Sequence, residues 1–173
     1  LAGAVRPTSG TMQLLEADYA PRSPAEAQQA GVAMVFQELT VLPHLTVAEN
    51  LWLGRERTKF GLVDRREHAH HARQVLQRLQ RGDLPLDQRL GTLSPADRQM
   101  VEIARAVLCE AKVLVLDEPT SSLGAEDVRR LFAVLAELRM QGLGIVYISH
   151  ALEEVREICD RCTVLRDGRT VAT

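Results

Sequence analysis

The sequence predicts an α/β fold, a mostly parallel sheet interrupted between about residues 40 and 93 by a helical insert. Three observations carry this. The aliphatic runs "VAMVF" (32–36), "VLVL" (113–116) and "IVYIS" (145–149) have strand length and near-continuous hydrophobicity, the pattern of strands covered on both faces. Helical stretches separate them, so successive strands need crossovers, which are right-handed and keep the strands parallel. Each run ends in polar side chains: Gln37 after the first, Asp117 and Glu118 after the second, His150 after the third.

Composition bounds the function classes. With 173 residues, 46% hydrophobic and 25% charged, the chain can bury one sizeable core. A net charge of -2, with lysines and arginines scattered, gives no basic field, so no nucleic-acid partner is expected. No apolar stretch approaches the roughly 18 residues of a spanning helix, and the start does not resemble a signal peptide, so a cytosolic chain is expected. Three cysteines, an odd number without framework spacing, suit a reducing compartment.

The elements follow in order. "GTMQLL" (10–15) is strand-like. Ser23, Pro24 and Glu26 supply an N-cap, a proline at the first helical position and a capping-box acid, opening a helix to about Ala30. Thr46 with Glu49 and Asp64 with Glu67 are two further capping-box starts, and Ala69, Ala72, Val75, Leu76 and Leu79 fall on one face of the second helix. Ser94 and Pro95 open a helix with an apolar stripe of Met100, Val101, Ile103, Ala104, Val107 and Leu108. A helix over 125–141 stops at Gly142, another covers 151–158, and "CTVLRDGRTVA" is a hairpin turning at Asp167 and Gly168. Cys159 and Cys162 are expected to be small buried side chains rather than half a zinc site. His68, His70 and His71, among Arg65, Arg66, Arg73 and Arg78, are expected on a solvated helix face.

The three polar strand ends belong together, because the carboxyl edge of an open α/β sheet is where ligands bind. Carboxylates at the end of a buried strand are costly unless they meet a cation or do chemistry. Nucleoside triphosphate hydrolysis uses such a set: one Asp holds Mg²⁺ through water, the neighbouring carboxylate positions or deprotonates the attacking water, and a Gln and a His contact metal, water and the terminal phosphate.

"VFQEL", "LSPADRQMVEIARA", "VLVLDEPTSSL" and "VYISH" also occur in the order and spacing of ATP-binding-cassette (ABC) ATPases, which the chain resembles over essentially its whole length. The resemblance implies a P-loop NTPase-like sheet, a helical subdomain at about 40–110, and ATP and Mg²⁺ as cofactors. It implies that Gln37 is the Q-loop residue near Mg²⁺, Ser94 and Ala96 belong to the signature, Asp117 is the Walker B aspartate and a Mg²⁺ ligand, Glu118 is the catalytic glutamate and His150 is the switch histidine.

Departures from the family pattern set further expectations. No G-x-x-x-x-G-K-[ST] frame occurs, and the only lysines, Lys59 and Lys112, lie outside one. There is no initiator Met, and "LAGAVRPTSG" resembles the segment that follows the phosphate-loop helix. The expectation is a cassette whose N-terminal phosphate-loop part is missing and which alone binds ATP weakly or not at all. "VFQELTVLPHLTVAENLWLGRE" is similar to carbohydrate-importer ATPases, in which two cassettes are fused. Leu93-Ser94-Pro95-Ala96-Asp97, in place of LSGGQ, resembles the degenerate signature of a first cassette. Pro95 lacks an N–H donor and Asp97 adds negative charge, so weaker phosphate binding across a dimer is expected. Gly124 stands where the family has the D-loop aspartate.

The resemblance thus implies the motor subunit of an importer for a sugar or related small solute. Its partners would be a second cassette, membrane permease subunits and, indirectly, a solute-binding protein, and it would lie on the cytoplasmic face of the membrane. The alternatives are a translation or repair ATPase of the same superfamily, opposed by the short insert and the lack of a basic face, and a non-catalytic scaffold cassette, opposed by Glu118 and His150. Of Leu42, Leu45, Val47, Leu51, Trp52 and Leu53, one or two are expected to line an exposed patch where the permease docks, with Trp52 nearby, and the rest to pack inside the insert.

Overall fold

The computed structural model describes residues 1–55, 58–59 and 62–173. Its centre is a parallel sheet of three strands in the order Val32–Val35, Val113–Asp117 and Gly144–Ile148, accompanied among the described residues by three short hairpins and six α-helices. Hairpin β1 (Gln13–Leu14) and β2 (Ala17–Asp18) precedes α1 (Pro24–Gln29) and β3 (Val32–Val35). The insert holds α2 (Val47–Trp52), β4 (Thr58–Lys59), β5 (Leu62–Val63) and α3 (Arg65–Arg78). Then come α4 (Pro95–Leu108), β6 (Val113–Asp117), α5 (Ala125–Met140), β7 (Gly144–Ile148), α6 (Leu152–Ile158) and the hairpin of β8 (Val164–Arg166) and β9 (Arg169–Ala172). No described helix is long and apolar enough to cross a membrane.

Each face of the sheet has its own cover. Ala33, Val35, Leu114 and Leu116 join the large core made by the insert, α4 and α5, while Val32 and Val115 pack with Tyr19 and Ala27 on the other side. This double coverage is why β3 and β6 are apolar throughout rather than alternating. Strand register brings the polar ends together: Val35 lies opposite Leu116 and Asp117 opposite Ile148, so all three strands finish at one level.

Most predicted helix starts are made as written. Thr46 and Glu49 form a complete capping box on α2, Asp64 accepts from the Glu67 N–H, and Ser94 accepts from the Asp97 N–H. Buried Asn50 goes further. Its side chain accepts the Leu42 N–H at 2.8 Å and donates to the carbonyls of Leu42 and Thr46, clamping the 42–46 loop onto α2. Gly142, with φ +92, takes the left-handed turn that ends α5, and Asp167 and Gly168, at φ +50 and +72, make the predicted turn between β8 and β9.

Three expectations need correction. "GTMQLL" is not one strand, because Leu15 and Glu16 turn it into a hairpin with both central residues at positive φ, a conformation that no glycine or asparagine marked in advance. His68 is not solvated: it is 6% exposed and stacks on Trp52 with ring centroids 4.3 Å apart, so the aromatic partner decides its burial. Cys162 is exposed, since the run that follows it belongs to a hairpin with both faces open. Of the six apolar residues among which an exposed patch is expected, with Trp52 nearby, Trp52 itself packs within the core, its indole N–H donating to the His68 carbonyl. Val47 and Leu51 are buried with it, Leu42 and Leu45 are half-buried, and Leu53 is the exposed member. Glu56, which closes the importer-like segment, lies outside the described residues.

Candidate functional site

Three chain segments leave the sheet at its carboxyl edge and converge on Glu118. The Gln37 side chain, two residues beyond β3, donates from Nε2 to Glu118 Oε2 at 3.0 Å. His150, two residues beyond β7, places Nδ1 3.1 Å from Glu118 Oε1. Both carboxylate oxygens are therefore engaged from opposite sides. A carboxylate in its ionised form only accepts, so the His150 contact joins the two groups when Nδ1 carries the ring proton.

Backbone geometry turns Glu118 out of the strand. Its φ is +46, in the left-handed region that non-glycine residues seldom occupy, and its N–H is held by the Ile148 carbonyl at 2.9 Å. Such conformations store about 1–3 kcal/mol and gather at functional sites. The trio is accessible: His150 has 80% of its side chain exposed and Glu118 29%. Asp117 is half-buried at the end of β6, and among the described residues its carboxylate has no hydrogen-bond partner.

The donor set fits a hard cation. Mg²⁺ takes oxygen ligands and keeps several waters, using one or two protein groups together with substrate phosphates. Asp117 offers a carboxylate and Gln37, whose amide N–H is spent on Glu118, an amide oxygen, neither of them hydrogen-bonded among the described residues. Among the described residues no cluster of three or more His, Cys, Asp or Glu could hold a metal without such outside ligands.

Ser94 and Ala96 stand apart, and no hydrogen bond links either of them to the trio among the described residues. Ser94 is exposed at the start of α4, and its Oγ accepts the Asp97 N–H at 3.2 Å. The Asp97 carboxylate pairs with Arg81, which also holds Asp83. The negative charge added to the signature is therefore answered locally, while the loss of the Pro95 N–H is not. Gly124 caps α5 without a side-chain hydrogen bond, so the absent aspartate costs the helix a cap.

Two groups escaped the sequence reading. Glu102, 2% exposed, accepts the N–H and hydroxyl of Thr40, both at 2.7 Å, and pairs with Arg105, fastening the segment after Gln37 to α4. An acid inside the apolar stripe of α4 was the available signal. Glu154 accepts hydroxyls from Thr120, Tyr147 and Ser149. Burial, reinforced by that carboxylate, pushes the Tyr147 hydroxyl well above the ordinary tyrosine range. Nothing marked Glu154 in advance, because an acid in the first turn of a helix is ordinary.

Comparison with known proteins gives a consistent set. The family profile described as "ABC transporter" matches residues 1–121. The chain is 46% identical over 173 residues to a putative ribose/galactose/methyl galactoside import ATP-binding protein 1 of Agrobacterium fabrum, covering 100% of this chain and 34% of that protein. It is 45% identical over 173 residues to the arabinose import ATP-binding protein AraG of Pseudomonas syringae pv. syringae, with the same coverage. The chain thus spans about a third of the length of the curated relatives it matches. Among solved structures, a nucleotide-free ATP-binding cassette from an ABC transporter superposes with a TM-score of 0.85 at 26% identity, covering 99% of this chain and 71% of that one. The dimeric post-hydrolysis state of the cassette MJ0796 bound to ADP and Pi shares the fold, with a TM-score of 0.77 at 21% identity and coverage of 99% and 75%.

Proposed function

Since the chain belongs to the ABC transporter family, we propose that it forms the catalytic edge of an ATP-hydrolysing cassette that drives import of a sugar or related small solute. The observation that carries this is the convergence of Gln37 and His150 on the two oxygens of Glu118 at one sheet edge. The relatives' names, ribose, galactose and arabinose import ATP-binding proteins, support the solute class.

The geometry supports the following roles. Mg·ATP supplies the electrophilic terminal phosphate, and Asp117 with the Gln37 amide oxygen would hold the ion through water. Glu118 orients the attacking water and takes its proton, and the Gln37 and His150 contacts fix the direction of its lone pairs. His150, its side chain largely exposed beside Glu118, stabilises charge on the transferred phosphoryl group by donating a ring N–H to it. Ser94 and Ala96, remote from this trio, act across an interface on the nucleotide of a second cassette. Residues of about 40–110 form the helical subdomain that meets permease subunits, with Leu53 and half-buried Leu42 and Leu45 as its apolar contact, and a solute-binding protein is an indirect partner. The protein works on the cytoplasmic face of the membrane.

Substituting Glu118→Gln in the full-length gene product containing these residues tests the reading. The amide preserves shape and removes the base, so kcat should fall by about 10²–10⁴ with ATP affinity retained. An unchanged kcat would move the role of base to another group, with His150 the first to examine.

A further inference from the structure

Glu154 stands out because three hydroxyl groups meet at one of its oxygens. Tyr147 donates to Oε2 at 2.8 Å, Ser149 at 2.9 Å and Thr120 at 3.0 Å. Their positions matter more than their number. Thr120 lies two residues after Glu118, Ser149 immediately precedes His150, and Tyr147 sits in β7, where its ring meets Phe132 edge-on at 6.0 Å. One carboxylate oxygen therefore joins the loop that carries Glu118, the loop that carries His150, and the core. Ser149 Oγ also accepts the Ala151 N–H at 3.0 Å, so the chain is held on both sides of His150.

Dipole stabilisation at the start of α6 does not account for this convergence. Neighbouring Glu153 also lies in the first turn, is exposed, and makes no side-chain hydrogen bond among the described residues, so a dipole alone requires no such network. His150, meanwhile, has 80% of its side chain exposed and little packing to place it. Its position must come from the backbone that carries it. Hydrogen bonds to an ionised acceptor are roughly twice as strong as neutral ones, which suits a carboxylate to that task better than a hydroxyl or an amide.

We propose that Glu154 is a positioning residue that sets the spacing between Glu118 and His150 by tying their two loops to one oxygen. Its catalytic consequence rests on the reading of Glu118 and His150 as the working pair; the geometric claim does not.

The geometric claim is tested on the 173-residue chain by long-range proton–nitrogen NMR of the His150 ring, with amide exchange measured in parallel. The expected signature in the unaltered chain is a ring whose Nδ1–H is engaged by Glu118. Glu154→Ala and the isosteric Thr120→Val should abolish that signature and speed amide exchange at 120–122 and 149–151 by about tenfold or more, while α5 keeps its protection. Glu154→Gln, which retains an acceptor oxygen, should restore part of both. An unchanged His150 signature in both Glu154→Ala and Thr120→Val overturns the proposal, and so does exchange that rises equally through α5. In the full-length gene product, Glu154→Ala should lower kcat about ten- to a hundredfold with KM for ATP held within about twofold. Loss of the His150 signature without loss of kcat overturns the positioning role, provided that Glu118→Gln stops turnover. If Glu118→Gln turns over normally, the catalytic pair is wrong, and the spectra alone decide whether Glu154 sets the spacing.

Discussion

The insert and the C-terminal third are built from similar amounts of apolar sequence and differ in what closes over them. In the insert and its neighbours, Val47, Leu51, Leu76, Leu79, Leu90, Val101 and Ile103 are all 2% exposed or less. From residue 139 to the end no residue is buried; α6 has none, and Val164, Leu165 and Val171 of the last hairpin are exposed. The cause is geometric. Helices α2, α3 and α4 cover one another and α4 also meets β3, whereas among the described residues β7 pairs on one side alone and β8 and β9 pair with each other. Hydrophobic sequence becomes stability only where a second surface meets it. The candidate site lies on the boundary: Glu118 leaves the central strand, Gln37 comes from the covered side and His150 from the open side.

Core truncation should break this contrast most strongly if it is wrong. Leu76→Ala, at a position 1% exposed, should lower stability by about 2–5 kcal/mol in denaturant unfolding of the chain. A loss below about 1 kcal/mol would mean that the insert is less tightly closed than its burial implies. Asn50→Ala should cost about 1–3 kcal/mol, because it strands the Leu42 N–H that the amide now satisfies. Its amide-exchange signature should centre on 42–46 and leave β7 untouched.

A pH titration sharpens the comparison further. The Thr46 backbone N–H, then its hydroxyl, hold the Glu49 carboxyl below the ordinary glutamate range. Since the folded value is the lower one, the contribution is fully present above the unfolded value and is lost as pH falls through the folded one. The melting temperature of the chain should therefore exceed that of Glu49→Gln at neutral pH, and the two should converge in acid. A gap that persists there would assign the effect to packing. The smallest expected effect is in the C-terminal hairpin, where Leu165→Ala should change stability by no more than about 0.5 kcal/mol, since Leu165 is 69% exposed. A loss comparable to that of Leu76→Ala would show that the hairpin is covered in solution.

Much of this was legible beforehand because it rests on local chemistry. The Thr46–Glu49 box, the Ser94–Pro95 start and the Asp167–Gly168 turn each depend on residues within four positions of one another, and each forms where the sequence placed it. Gln37, Glu118 and His150 were legible for another reason. Each follows a fully apolar run, and parallel strands in register bring such positions to one edge. The Leu15–Glu16 turn was not legible, because side chains that usually avoid positive φ adopt it there under tertiary constraint.

By itself, then, the sequence determined the three central strands, most helix boundaries and the three polar strand ends, because short-range hydrogen bonding and hydrophobic period act within a few residues. Tertiary structure alone decided which polar groups share an atom. His68 stacks on Trp52 across 16 positions, Glu102 reaches Thr40 across 62, and Thr120 meets Glu154 across 34. Such contacts depend on the angles at which helices cross the sheet, which the summed packing of many side chains sets and no local pattern encodes.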